Sequence, residues 1–463
     1  MAFKKNQCVR VEINDITDLG FGVGRVDGAV VFVSDTVPGD VCDVKLIKVN
    51  KTYLVGRVER YIQKSDMRTT QRCCERACKS CAYKNISYTS ESAFKEEGVR
   101  RIFSTSTLDG IATAPITKSP NETRYRNKAQ YPISLTDGEY RVGFFAPKSH
   151  RVTPITDCPL TPTVFSEICK ELCAFFKEND ITVYSEETGE GLLRHIYLRR
   201  GELSGEILVT VVINGSSLKN EMQMAERITE KFNDVVGVLL NINTENTNVV
   251  LGKDYRTLLG RDYIYDTLSG VRLKITAPSF YQVNHSATEL LYAKAKELAD
   301  PTKSDTLLDL FCGAGSIGLS MADTVGELIG IEIVDSAVEC AKENAKASGV
   351  TNAHFFTGDA TETEKLLTNA EKQLGKKLTP DIIILDPPRA GCDERLVRFV
   401  STLNAKRIVY ISCNPKTLAR DVVIFRECGY NTDIVYPFDL FPMTGHVESV
   451  VRLERRLDVD MRR

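Results

Sequence analysis

Apolar residues recur along the chain with more than one spacing, and the changes of spacing divide it. Val9, Val11 and Ile13 alternate with polar residues, and Val41 and Val44 through Val49 do so less strictly. Alternation of this kind marks strands with one buried face. Gly20, Gly22, Gly24, Gly28 and Pro38-Gly39 punctuate these runs where turns are needed. Residues 7 to 60 therefore read as a small all-β unit, about five strands of the size that closes an oligonucleotide-binding (OB-like) barrel. From about 61 to 275 the pattern is mixed. A cysteine-rich loop leads to a helical stretch from Tyr88 to Phe103, and apolar runs follow at Glu206–Ile213 and Val236–Ile242. That mixture predicts an α+β domain with a strand-rich centre. From about 285, strands are expected at Thr306–Phe311, Leu328–Ile333, Ala353–Thr357, Asp381–Leu385 and Arg407–Ser412. Helices are expected near Ala287–Ala299, Ser316–Ala322, Asp335–Ser348 and Lys416–Glu427. Such alternation predicts a parallel, doubly wound α/β sheet of the Rossmann-like kind. The chain is thus read as multidomain, with units at 1–60, 61–275 and 276–463.

Composition narrows the class. At 463 residues with 42% hydrophobic and 26% charged residues, the chain is ordinarily globular. A net charge of −2 makes the whole molecule a poor general binder of polyanions. Locally the balance reverses: Arg57 to Lys84 holds eight basic residues against three acidic, and Lys118 to Arg151 seven against three. The second run is interleaved with Tyr125, Tyr131, Tyr140, Phe144 and Phe145, which suits a nucleic acid with unstacked bases as well as a plain solvated face. No run approaches the roughly 18–20 apolar residues that span a bilayer. Met1-Ala-Phe-Lys-Lys5 lacks the apolar core of a secretion signal, so a cytoplasmic protein without membrane association is expected. Fourteen cysteines in such a chain argue against a disulfide framework, and for buried small side chains, a metal or cluster site, or catalysis.

Candidate chemistry concentrates in the last third. Gly313-Ala-Gly-Ser-Ile-Gly318 follows an expected strand and opens an expected helix, and Glu332 stands 17 residues beyond Gly315. Glycines let backbone approach a ligand, and an acidic residue ending the next strand can hold ribose hydroxyls. This much fits a dinucleotide or an S-adenosylmethionine site. Gly358-Asp359-Ala360 ends the third strand, and Asp386-Pro-Pro-Arg389 ends the fourth. The latter resembles the Asn/Asp-Pro-Pro-Tyr/Arg motif of base-modifying methyltransferases, an element a dehydrogenase does not need. Cys413 emerges at the same sheet edge just before a helix, where exposure and a stabilised thiolate are expected. Carbon 5 of uracil is a poor nucleophile. A thiolate added at carbon 6 makes it an enolate-like carbanion, and a base must later remove the carbon 5 proton. Cys413 and Glu448, with His446 nearby, supply those parts. Taken singly, a strand-end cysteine reads as a small buried residue, the reading kept for Cys312, Cys340, Cys392 and Cys428.

Phe280-Tyr-Gln-Val-Asn284, Asp309-Leu-Phe-Cys-Gly-Ala-Gly315, Asp386-Pro-Pro-Arg-Ala-Gly391, Ser412-Cys-Asn-Pro415 and Phe441-Pro-Met-Thr-Gly-His-Val-Glu448 occur in order. Together they resemble the RNA uracil-5 methyltransferase family, in particular its bacterial 23S ribosomal RNA members. Leu19 to Val58 resembles the TRAM domain, an RNA-binding barrel appended to RNA-modifying enzymes, so the resemblance covers essentially the whole chain. It implies a class I methyltransferase domain at the C-terminus, Cys413 as nucleophile and Glu448 as base. Gln282, Phe311, Ser316, Glu332, Asp359 and Asp386 would line the S-adenosylmethionine pocket. Tyr125-Arg-Asn-Lys128 and Gly191-Leu-Leu-Arg-His195 resemble family segments on the RNA side. The implied partner is 23S ribosomal RNA, with no obligate protein partner; the same reaction on transfer RNA and a non-catalytic assembly factor are the competing readings.

Cys73, Cys74, Cys78 and Cys81 fall within nine residues, and Cys158-Pro159 comes later. Four thiolates can hold an iron–sulfur cluster or zinc. The resemblance implies a 4Fe-4S cluster on Cys73, Cys78, Cys81 and Cys158. The family spacing of five residues before the second cysteine is shortened here, so that Cys74 is the substitute for Cys73.

Overall fold

A computed structural model describes residues 3–69, 73, 78, 80–146 and 149–455. The strands Cys8–Ile16, Gly22–Val26, Ala29–Ser34, Val41–Val49 and Tyr53–Gln63 close into a five-stranded barrel. The alternation seen in the sequence works as expected: Val11, Ile13, Val31, Val33, Val44 and Leu46 point inward and are buried, while their neighbours face solvent.

A seven-stranded sheet follows. Its order is Asp254–Gly260, Val235–Ile242, Ile207–Ile213, Leu193–Arg200, Lys128–Thr136, Glu139–Phe145 and Val152–Pro154. Ile207–Ile213 and Val235–Ile242 run parallel and are joined through the helix Glu221–Lys231. That helix and Thr163–Glu178 cover one face of the sheet, through Met224, Ile228, Phe165, Leu172 and Phe176.

The C-terminal sheet runs in the order Ala353–Thr357, Glu327–Glu332, Thr306–Leu310, Ile382–Leu385, Arg407–Ser412, Glu448–Arg455, Ile434–Phe438, Ala112–Thr113. The first five strands are parallel, each expected strand appearing within a residue of its predicted ends. The sheet is not parallel throughout: Glu448–Arg455 is antiparallel to both of its neighbours. The reason is the connection. Residues 439–447 contain no helix to carry a crossover, so the chain must reverse direction. Strand order reverses between Thr306–Leu310 and Ile382–Leu385, which opens a crevice at their carboxyl ends. The helix Tyr88–Phe103 and the strand Ala112–Thr113 also belong to this body. Val99, Phe103, Leu108 and Ile111 share a core with Leu308, Ile383 and Val435.

Candidate functional site

At the switch point the backbone turns sharply. Phe311, Gly313 and Gly315 all adopt positive φ (65°, 54° and 80°). A Cβ at Gly315 would press on Leu319, Phe355 and Ala341 at 3.1–3.2 Å, so packing as well as φ demands glycine there. Around Gly313 nothing lies within 4 Å of the Cβ position, leaving its backbone open to a ligand. Glu332, at the end of the next strand, accepts from Gly313 N–H (3.1 Å) and Val334 N–H (2.9 Å). Each carboxylate oxygen keeps a lone pair for a ribose hydroxyl. Ile333 and Val334 follow, 62% and 50% exposed, as an apolar surface that sequence reasoning had not singled out. Asp359 is exposed beyond the third strand, and Gln282 and Ser316 are partly buried. Ser316 Oγ lies 2.8 Å from the hydroxyl of the buried Tyr292.

Two carboxylates stand at the switch point itself. Asp309 is fully buried; one oxygen accepts from Gly318 N–H at 2.9 Å and the other has no partner among the described residues. Burial pushes it up to about 8. Asp386, one residue past Leu385, is pushed up to about 7, again by burial.

The thiol and the base meet through strand register. Ser412 pairs with Ser449 at the end of the antiparallel ladder, which brings the adjoining Cys413 and Glu448 to the same end of the sheet. Glu448 is 5% exposed and is pushed up to about 8, first by burial and then by Asp386, with Arg389 opposing. Burial, Glu448 and Asp386 likewise raise the half-buried Cys413 thiol, against the pull of Arg389. The thiolate-stabilising setting expected at a helix start is opposed here, first by lost solvation and then by two nearby carboxylates. The turn is firmly built. Asn414 caps that helix by accepting from Lys416 N–H (3.1 Å), and its amide donates to Arg389 O (3.2 Å), tying the thiol turn to Asp386-Pro-Pro-Arg389. His446 stands 3.5 Å from Arg389 and is held below its usual value by burial and that cation.

The segment leading to Glu448 is anchored by groups the sequence did not reveal. Lys95 Nζ, with its side chain 1% exposed, contacts Glu91 and Asp439 at 2.8 Å each and donates to Phe441 O at 3.1 Å. Glu91 accepts from Met443 N–H at 2.6 Å, Tyr125 donates to Pro442 O at 2.9 Å, and Asn284 donates to Leu440 O at 3.0 Å. A Glu–Lys pair four residues apart on a helix reads as a solvated surface pair; only tertiary contact shows it as a buried tie. The barrel reaches the same segment, since a Cβ on Gly445 would collide with the Asp18 carbonyl.

Cys73, Cys78, Cys81 and Cys158 are each 8% exposed and line one cavity of about 410 Å³ with Arg126, Lys128 and Thr444. Cys74 lies outside the described residues. Burial and the other three thiols push Cys81 up to about 12, while Lys84 opposes. Among the described residues no three His, Cys, Asp or Glu side chains group closely enough for a single metal ion. Thiolates on one tetrahedral ion stand about 3.8 Å apart, given a metal–sulfur bond of roughly 2.3 Å. An iron–sulfur cluster fills the centre with its own atoms and holds its thiolates wider. Four thiols share the cavity, and the Asp157 carboxylate that also lines it is engaged by Arg124, a donor set that an iron–sulfur cluster can use. Met443 packs against Cys81 and Cys158, so this site adjoins the segment before Glu448.

Comparison with known proteins agrees with this geometry. The profile described as tRNA (uracil-5-)-methyltransferase matches residues 95–456, and the TRAM domain profile matches residues 2–58. An RNA methyltransferase of Halalkalibacterium halodurans, named as uncharacterized, is 36% identical over 452 residues, 97% of each chain. Another from Lactococcus lactis is 36% identical over 457 residues, 98% of each. The crystal structure of Pyrococcus abyssi tRNA (uracil-54, C5)-methyltransferase in complex with S-adenosyl-L-homocysteine superposes with a TM-score of 0.76 at 25% identity, covering 96% of this chain and 100% of that one. The chain therefore belongs to the S-adenosylmethionine-dependent RNA uracil-5 methyltransferase family and carries a TRAM domain at its N-terminal end.

Proposed function

We propose that this protein methylates carbon 5 of a specific uridine in 23S ribosomal RNA through a covalent Cys413 adduct. The observation that carries the reading is the convergence of Cys413, Glu448 and Asp386 at one sheet edge, both carboxylates acting on the thiol, beside the glycine turn. Cys413 gives its thiol proton to solvent, its Sγ bonds to carbon 6, and the carbon 5–carbon 6 π electrons move to carbon 5. Carbon 5 takes the electrophilic methyl that S-adenosylmethionine supplies, the sulfur–methyl bond breaking to leave S-adenosylhomocysteine. Glu448 then removes the carbon 5 proton, the double bond reforms and the thiolate departs, so the sequence balances without redox change. Gln282, Phe311, Ser316, Glu332, Asp359 and Asp386 hold the methyl donor in this reading. Cys73, Cys78, Cys81 and Cys158 hold a 4Fe-4S cluster that shapes the RNA side and takes no part in methyl transfer. The barrel near 1–60, the central sheet within 61–275 and the C-terminal sheet of 276–463, which the helix Tyr88–Phe103 and the strand Ala112–Thr113 join, act as three units. Among the described residues no helix is long and apolar enough to cross a membrane, and we place the enzyme in the cytoplasm with its RNA.

Methylation of transfer RNA is the second reading, favoured by the substrate of the Pyrococcus abyssi enzyme. The cysteine set weighs toward ribosomal RNA, since it resembles that branch; the barrel does not discriminate, because the Pyrococcus abyssi enzyme superposes over 96% of this chain. Two variants test the chemistry. Cys413→Ala should abolish methyl transfer while S-adenosylmethionine binding stays near wild type, and substantial turnover would remove the covalent route. Glu448→Gln should accumulate a protein–RNA adduct that survives denaturing gels; free RNA alone would assign the base elsewhere.

A further inference from the structure

The face of the central sheet opposite its two covering helices carries a second built groove at one end. Register places Arg199 opposite Lys128, Tyr197 opposite Gln130 and His195 opposite Pro132, so these side chains share that face. Lys128 lines the cysteine cavity beside Thr444. Four residues further along the strand, about 13 Å at 3.3–3.4 Å each, the groove opens to about 500 Å³.

Its lining combines two aromatic rings and two imidazoles with Arg151, Arg194, Glu186 and Glu187, of which Glu186 is paired with Arg194. Phe145 is 40% exposed, and His150 and His195 meet its ring edge-on with centroids 5.6 and 6.2 Å away. Tyr184 lies under the Arg194 guanidinium at 4.4 Å, and Arg194 is fixed by the carbonyls of Asn243 and Glu245. His195 is 6% exposed, and its Nδ1 has no hydrogen-bond partner among the described residues. Burial and Arg194 hold its ring neutral, near 4, so one nitrogen donates and the other accepts. A buried polar atom left without a partner points to a ligand that supplies one. Exposed Arg151 at the rim offers a cation.

We propose that this groove holds one unpaired nucleobase of the substrate RNA, distinct from the reacting uridine. The base stacks on Phe145, bonds to His195, and leaves its phosphate near Arg151. A flat π surface with a neutral imidazole suits a base, whereas a duplex would need a groove-spanning array of cations. The inference rests on RNA being the substrate and names a second point at which RNA is held. It also gives the basic, aromatic-rich run between Lys118 and Arg151 a use that the reaction centre does not require.

The test uses the full-length protein with an unmodified RNA that the wild type methylates. Phe145→Ala should raise the RNA Kd and KM about tenfold, within the fivefold to 150-fold range that loss of base stacking gives. Its kcat at saturating RNA and its S-adenosylmethionine Kd should stay at wild-type values, and Phe145→Trp should restore tight RNA binding. In parallel, a photoreactive benzophenone side chain at position 145 should crosslink to a nucleotide other than the methylated uridine, mapped by mass spectrometry. Unchanged Kd and KM in Phe145→Ala, or no crosslink, while the wild type still methylates its RNA would overturn the groove alone. Failure of the wild type to bind or methylate any RNA would overturn the underlying reading and the groove with it.

Discussion

Three carboxylates around the crevice, Asp309 and Glu448 buried and Asp386 partly so, are raised in the absence of a ligand, and that makes methyl-donor binding dependent on pH. Asp386 is pushed up to about 7, and Asp309 and Glu448 up to about 8. Each is raised, so between the unfolded value near 4 and these folded values the native state binds more protons than the unfolded chain. Stability of the free protein therefore falls as pH rises across that window. S-adenosylmethionine brings a fixed positive sulfonium, which favours the ionised carboxylate. For Asp386 alone, a folded value of 7 weakens a complex that needs its anion by a factor of 1 + 10^(7−pH), about elevenfold at pH 6 and about 1.1-fold at pH 8. Calorimetric titration at pH 6, 7 and 8 should show the S-adenosylmethionine Kd falling about tenfold over the range, with proton release into the buffer. S-adenosylhomocysteine lacks the sulfonium, and its Kd should change far less. A flat S-adenosylmethionine Kd, or equal slopes for the two ligands, would refute the electrostatic reasoning.

Two further outcomes follow from groups outside the crevice. Lys95→Met strands two carboxylates with fully buried side chains, so it should destabilise the protein by about 3–5 kcal/mol in denaturant unfolding, with slower methyl transfer; wild-type stability would show that this tie does not hold the segment before Glu448. Protein purified without oxygen should carry iron and absorb broadly around 400 nm, and Cys158→Ser should lose both, whereas iron-free, colourless wild-type protein would contradict the cluster.

Much of this was legible in the sequence because the physics was local. Period-two apolar alternation fixed the barrel, and the glycine turn between Leu310 and Ser316 announced both a backbone bend and a ligand. Cys413 and Glu448 were identifiable as types, yet their convergence depends on an antiparallel last strand that the run of parallel strands concealed. What remained hidden was carried by tertiary contact. Lys95 and Glu91 look like a solvated helix pair until Asp439, more than 340 residues away, closes over them. The Cys413 thiol was expected to be stabilised as its anion by the helix that follows; the sequence places Asp386 and Glu448 near it, but does not show that burial and their charge raise it. The His195 groove likewise needs three strands and two loops brought together before its aromatic lining exists.

The central claim is tested most directly by incubating the protein and S-adenosylmethionine with unmodified 23S ribosomal RNA and, separately, with unmodified transfer RNA, followed by mass spectrometry of nuclease fragments. The account predicts 5-methyluridine at defined positions of the ribosomal RNA and none in the transfer RNA. Methylation confined to transfer RNA, or absent from both, would contradict it.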